Sequence, residues 1–210
     1  FDFPSRLASG LQSGELDLAL LPVAAIPKLS QSYVVSDYCI GTDGEVASVC
    51  LFSDVPLEEI QSIYMDYQSR TSVELLKILL QRHWKMSPKL LPAVEGFELL
   101  IKGNTAGLII GDRALEKRKD HKYIYDLGSA WKEMTGLPFV FAAWVANKEL
   151  PDSFIEKFNT ALADGLRHMD TVLSEINYPY YNLATYYRKN ISYLLDEEKR
   201  KGLDFFLRSI

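Results

Sequence analysis

Residues capable of anion chemistry concentrate in Asp66-Tyr67-Gln68-Ser69-Arg70-Thr71-Ser72. The segment follows a short apolar run, Ile60 to Met65, and leads into Val73-Glu74-Leu75-Leu76-Lys77-Ile78-Leu79-Leu80. The pattern predicts strand, hydroxyl-rich loop and helix. Positions 72, 75, 76, 79 and 80 form one stripe at a period near 3.6. The first turn of that helix presents backbone N–H groups beside Ser69, Arg70, Thr71 and Ser72, a combination suited to a carboxylate or phosphate. The plain alternative is a Ser or Thr cap on an ordinary helix.

Further candidates stand at other strand ends. Asp112, after Ala106-Gly107-Leu108-Ile109-Ile110-Gly111, could act as a general base or hydrogen-bond acceptor, or could cap the helix that begins at Arg113. Asp66 could serve chemistry, or could pair with Arg70 or with loop N–H groups. Trp131, Phe141 and Trp144 read as core. Leu137-Pro138 presents Phe139 as a candidate wall of a binding site. His83, His121 and His168 share no ligand spacing, and no His-Glu-x-x-His or Cys-x-x-Cys pattern occurs, so no metal is expected. His83, at a helix end on the apolar stripe, reads as structural. The absence of a Gly-x-Gly-x-x-Gly, Walker or Gly-x-Ser-x-Gly motif argues against dinucleotides, nucleoside triphosphates and a serine-hydrolase elbow.

The elements that must position these residues alternate. A helix over 4–13 ends at Gly14 and is followed by the strand Leu16–Leu21, stopped by Pro22. Short strands are predicted at 33–35 and 39–40, and a stronger one at 46–52. Strands follow at 62–65, 89–94 and 106–110, with helices from the hydroxyl loop to His83 and over 96–102. A helix over 128–135 precedes the long apolar strand 139–146, and helices are predicted over 151–178 and 194–210. The βαβαβ order implies a partly parallel sheet, whose ligand sites lie beyond the carboxyl ends of strands. Pro22, Ser69 to Ser72 and Gly111-Asp112 all fall at such ends. Two lobes are expected, residues 1–52 with 147–210 and residues 53–146, with a small-molecule ligand between them.

With 48% hydrophobic and 24% charged residues, the 210-residue chain has the makeup of a globular protein with a sizeable core. A net charge of −5 with scattered basic residues gives no nucleic-acid footprint. The densest basic run, Lys117-Arg118-Lys119, reads as a solvated loop or helix end. Cys39 and Cys50 could pair, but both lie in apolar stretches where free thiols pack as small hydrophobes, which favours a reduced, cytoplasmic protein. No stretch reaches the roughly 20 apolar residues of a membrane span. Phe1-Asp2-Phe3-Pro4 lacks an initiator Met and reads as a chain opening in mid-domain.

Several segments occur together and in order. They are Gly14-Glu15-Leu16-Asp17-Leu18-Ala19-Leu20-Leu21-Pro22, Ser48-Val49, the Asp66–Ser72 segment, Leu108-Ile109-Ile110-Gly111-Asp112-Arg113-Ala114-Leu115, Asp126-Leu127-Gly128-Ser129-Ala130-Trp131 and Thr135-Gly136-Leu137-Pro138-Phe139-Val140-Phe141-Ala142-Ala143-Trp144. From about Pro4 to Ala146 the chain resembles the chorismate dehydratases of the futalosine pathway of menaquinone biosynthesis. The resemblance implies a two-lobed α/β fold like the type 2 periplasmic binding proteins. It also implies loss of water from chorismate to give 3-[(1-carboxyvinyl)oxy]benzoate, with no metal or organic cofactor. Ser69, Thr71 and Ser72 match the family's hydroxyl-rich loop. Pro22, Ser48, Gly111, Asp112, Pro138 and Phe139 match segments that face the substrate. Family members usually carry a further strand and an Asn-Thr-x-Pro-type loop ahead of the point where this chain begins, and Pro22-Val23 stands where many have Pro-Ser. Alternatives within reach of the same fold are a non-catalytic solute-binding protein for a small carboxylate and the later naphthoate-forming enzyme of the pathway. An interaction module is a third class.

Overall fold

The computed structural model describes residues 4–210; Phe1 to Phe3, including the expected mid-domain opening, lie outside the described residues. In chain order the elements are α1 (Pro4–Ser13), β1 (Leu18–Pro22), β2 (Tyr33–Thr42), β3 (Val49–Ser53), β4 (Ser62–Met65), α2 (Arg70–Ile78), β5 (Lys89–Pro92), β6 (Thr105–Ile110), α3 (Asp112–Lys117), β7 (Tyr123–Asp126) and α4 (Leu127–Thr135). There follow β8 (Phe139–Ala146), α5 (Asp152–Arg167), α6 (Met169–Ser174), α7 (Leu183–Thr185), β9 (Ser192–Leu194) and α8 (Glu197–Leu207). Short 3-10 or π turns cover 23–28, 57–59, 79–83, 97–100 and 186–190.

These elements form two compact units, one of residues 1–41 with 140–208 and one of residues 42–139. The crossings therefore fall earlier than the expected boundaries at 52/53 and 146/147. Strand pairing is the reason. Strand β3 lies wholly in the second unit between β6 and β7, and β8 pairs with β1 of the first.

The first unit contains a four-stranded sheet of order β1-β8-β2-β9. Strand β1 runs antiparallel to β8, with Leu18 opposite Ala146 and Pro22 opposite Ala142. Residues 33–42, predicted as two short strands, form one. The interrupting Ser36 is buried, and its hydroxyl donates to Asn159 Oδ1 at 2.7 Å. The predicted helix 151–178 is two helices, α5 and α6. Leu194 belongs to β9, which was not foreseen, and the helix beyond it starts at Glu197, capped by Asp196.

The second unit carries a five-stranded mixed sheet of order β5-β4-β6-β3-β7. Strand β4 is parallel to β5 and β6, whereas β3 is antiparallel to both of its neighbours. All five residues of β3 are buried, as its central place requires; each large apolar side chain there contributes roughly 1.5–3 kcal/mol. The expected helix over 96–102 is a single 3-10 turn, Phe97–Leu100. Phe97 of the turn and Ile101 just after it pack so closely on β6 that a Cβ at Gly107 would lie 3.2 Å from Phe97 Cε2 and 2.4 Å from Ile101 Cδ1.

This topology gathers one edge. The carboxyl ends of β4, β6 and β7 and the amino end of β3 lie side by side, because Val49 pairs with Ile110 and Cys50 with Asp126. Loops carrying most of the candidate residues leave from that edge.

Candidate functional site

Ser69 caps α2. Its backbone is extended, with φ −131° and ψ 110°, and its Oγ accepts the Ser72 N–H at 3.1 Å. The capping reading of this serine is thus correct as far as it goes. Ser69 Oγ also donates to Ser72 Oγ at 2.9 Å, which leaves the Ser72 O–H to donate onward. Thr71 and Ser72 are both buried, each 1% exposed, whereas Arg70 is exposed. The helix terminus therefore joins a short hydroxyl chain to the positive end of α2, a local environment that favours a carboxylate.

Two loops adjoin it in the same unit. Ser48 is buried, and its carbonyl accepts the Gly111 N–H at 2.8 Å. It follows Ala47, a non-glycine residue held at φ 63°. That turn is secured by Asp126, whose Oδ1 and Oδ2 accept the Val46 and Ala47 N–H groups at 3.1 and 2.7 Å. Asp126 Oδ1 also accepts the Ser129 N–H at 3.0 Å and so caps α4. Burial pushes the Asp126 carboxyl up, against the pull of these N–H donors. Arg118, from the basic run expected to be a solvated loop or helix end, donates to Ala47 O at 2.9 Å and pairs with Glu45 at 3.0 Å.

Gly111 has φ 68° and ψ −147°, a conformation open to glycine, and serves as the N-cap residue of α3. Asp112 is the first residue inside that helix, one place later than a capping role requires, and it is exposed. Asp66, immediately beyond β4, has a fully buried side chain. Its Oδ1 accepts the Gln68 N–H at 2.8 Å and its Oδ2 the Ile110 N–H at 3.1 Å. Arg113 Nη2 lies 3.0 and 2.8 Å from the same two oxygens. The structural reading of Asp66 holds, but its cation is Arg113 and not the expected Arg70. Burial raises the Asp66 carboxyl, opposed by Gln68 and Arg113. Arg113 and Asp126 were not singled out from sequence. Arg113 stands three residues beyond β6, and Asp126 is the last residue of β7.

The remaining candidates lie elsewhere. Pro138 gives its carbonyl to Trp131 Nε1 at 3.2 Å. Phe139 is 1% exposed, with its ring edge-on to Trp131 at 5.0 Å. That is a core position, where the sequence suggested a wall of the binding site. Pro22 ends β1 in the first unit, with its backbone opposite Ala142. The first unit also holds a cavity of about 550 Å³ bordered by Tyr38, Leu166, Tyr187 and Tyr193. A neighbouring cavity of about 280 Å³ is lined by Leu20, Ile40, Trp144 and Leu162. Neither is lined by a residue proposed from sequence for binding or catalysis. Among the described residues no group of three or more His, Cys, Asp or Glu is placed to hold a metal ion, and no helix is long and apolar enough to cross a membrane.

Comparison with known proteins adds to this geometry. A chorismate dehydratase from Thermus thermophilus is 29% identical over 232 residues, covering 99% of this chain and 84% of that protein. A chorismate dehydratase from Campylobacter jejuni is 29% identical over 203 residues, covering 92% and 71%. Among solved structures, an Archaeoglobus fulgidus protein aligns over 100% of this chain and 83% of its own, with a TM-score of 0.68 and 13% identity. The alkanesulfonate-binding protein SsuA from Xanthomonas axonopodis pv. citri, bound to MOPS, aligns over 100% and 81%, with a TM-score of 0.58 and 15% identity. These last two similarities concern the fold, which is α/β with mixed sheets and of the periplasmic-binding-protein type. The family model for menaquinone biosynthesis matches residues 1–210, from end to end, and the chain belongs to that family.

Proposed function

We propose that this protein is a chorismate dehydratase, a carbon–oxygen hydro-lyase that converts chorismate to 3-[(1-carboxyvinyl)oxy]benzoate and water. The observation that carries the reading is end-to-end membership of the menaquinone biosynthesis family, with relatives of that activity matching 92–99% of the chain. The hydroxyl-dressed terminus of α2 supports it, because the substrate carries two carboxylates. Ser69, Arg70, Thr71 and Ser72 would bind one of them, with Ser48 and Gly111 of the same unit contributing to the rest of the site. A biosynthetic enzyme of this kind would act in the cytoplasm.

The reaction removes the proton from ring C3 and the hydroxyl from C4, and aromatisation drives it. Asp66 is a poor base in this scheme, since its carboxylate already receives two backbone N–H groups and a guanidinium. The enolpyruvyl carboxylate of the substrate lies close to C3–H and can take that proton itself. The departing hydroxide takes up that proton and leaves as water. The protein supplies orientation, worth several kcal/mol, and hydrogen bonds to the leaving oxygen from the hydroxyl loop.

The experiment is direct. Purified protein incubated with chorismate, without added metal or nucleotide, should release the aromatic enol ether, followed by proton NMR. Tight binding of chorismate without turnover would instead favour the solute-binding reading that the fold alone permits.

A further inference from the structure

We infer that Arg113 is the positioning residue of the candidate site, holding the hydroxyl loop and the exit of β6 in one geometry through the Asp66 carboxylate. The inference rests on the dehydratase reading for its kinetic consequence and on geometry alone for its structural one. Nη2 of Arg113 sits between both oxygens of Asp66, at 3.0 and 2.8 Å, and Nη1 donates to Glu98 Oε1 at 2.6 Å. The same two Asp66 oxygens receive the N–H groups of Gln68 and Ile110. Gln68 immediately precedes Ser69, the cap of α2. Ile110 immediately precedes Gly111, whose N–H binds the Ser48 carbonyl. One carboxylate thus ties the hydroxyl loop to the exit of β6, and the N–H of the next residue carries the tie on to Ser48.

The Asp66 side chain has no exposure to solvent, and Arg113 is the cation that pairs with it there. Its own place is fixed from two sides. The guanidinium carbon stands 5.2 Å from the Tyr67 ring centre and 5.9 Å from that of Phe97, and Glu98 belongs to the same turn as Phe97. A planar cation with several donors meets these demands together. A lysine could reach Asp66 alone and would give up the Glu98 bond and the stacking.

The test compares Arg113→Gln and Arg113→Lys with the parent protein, each first checked for a cooperative thermal transition. Two measurements are made at a temperature well below every transition. Amide hydrogen exchange should rise about tenfold or more at Gln68 and Ile110 in Arg113→Gln, with Leu51 and Leu75 unchanged. The kcat for chorismate should fall about a hundredfold in Arg113→Gln, as expected for misplacement on the ångström scale. Arg113→Lys should give an intermediate loss. A variant that melts earlier yet keeps its parent kcat and its exchange at Gln68 and Ile110 would overturn the inference. So would a uniform rise in exchange across residues 42–139, which reports general loosening. Should the parent protein not turn over chorismate, the dehydratase reading fails, and the exchange pattern alone decides the role of Arg113. If Arg113→Gln does not fold, both measurements are made on Arg113→Lys with the same criteria.

Discussion

The carbonyl of Ser48 and the amide N–H of Gly111 meet at 2.8 Å, one step beyond the Val49–Ile110 pair that ends the β3–β6 ladder. The bond closes the sheet edge where the candidate loops leave. It depends on Gly111 turning through φ 68° and ψ −147°, where a side chain is strained although no atom lies within 4 Å of its Cβ position. Gly111→Ala should therefore cost about 1–3 kcal/mol through backbone strain alone. Thermal unfolding measures this, and an unchanged midpoint would show that the turn accepts another conformation.

Thr71→Val preserves shape and removes one hydroxyl from the first turn of α2. A hydrogen bond to a charged group is worth about 1.5–3 kcal/mol, so kcat/KM for chorismate should fall roughly 10- to 150-fold. The circular dichroism spectrum should not change. Equal kcat/KM in variant and parent would reduce the loop to a helix cap.

Asp112→Asn distinguishes substrate assistance from a protein base. Asp112 is exposed at the first position of α3, and asparagine fits there without strain. A modest loss is expected. A fall beyond about a thousandfold in the folded variant lies in the range of a lost general base and would name Asp112 as that base.

What could be read in advance from the chain was whatever is local or strongly patterned. Strand β3 announces itself because a strand buried on both faces needs an unbroken apolar run. The α2 terminus is visible because a cap and its helix adjoin in sequence. Strand β7, Tyr123–Asp126, was missed because all four residues are half-buried and carry no run or strict alternation. Strand β2 was split in two because Ser36 and Asp37 look like a break until Asn159, 123 residues on from Ser36, supplies their partner. The Asp66–Arg113 pair spans 47 residues. It follows only from β4 lying parallel to β6, a neighbour relation that periodicity does not encode.

The Asp126 carboxyl also sets a pH dependence. Burial raises it above its ordinary 3.8, so the folded protein keeps this proton where the unfolded chain has lost it. Its contribution to stability is present below 3.8 and declines as pH rises through the folded value. Asp126→Asn keeps one acceptor for the N–H groups and removes the titration. In that variant the midpoint of unfolding should decline less on going from acid toward neutral pH than in the parent, as measured by thermal melts. Parallel profiles would exclude the assignment.

Both cysteines should be inert in the folded protein. Cys39 and Cys50 are buried free thiols, and burial pushes Cys39 from 9.0 up to about 12 and Cys50 well above its ordinary value. Ellman's reagent at pH 8 should titrate neither thiol until denaturant is added, and then both. Prompt reaction in buffer would show that one of the two segments opens readily.

The sheet order β1-β8-β2-β9 has a consequence for how the chain matures during synthesis. Strand β8 lies between β1 and β2, so the two early strands have no partner until residues 139–146 leave the ribosome. Residues 42–139, by contrast, hold every strand of their own sheet in one uninterrupted stretch. The embedded unit can therefore fold first, while the flanking halves wait as nascent chain with apolar edges uncovered, a state in which chaperones bind and aggregation begins.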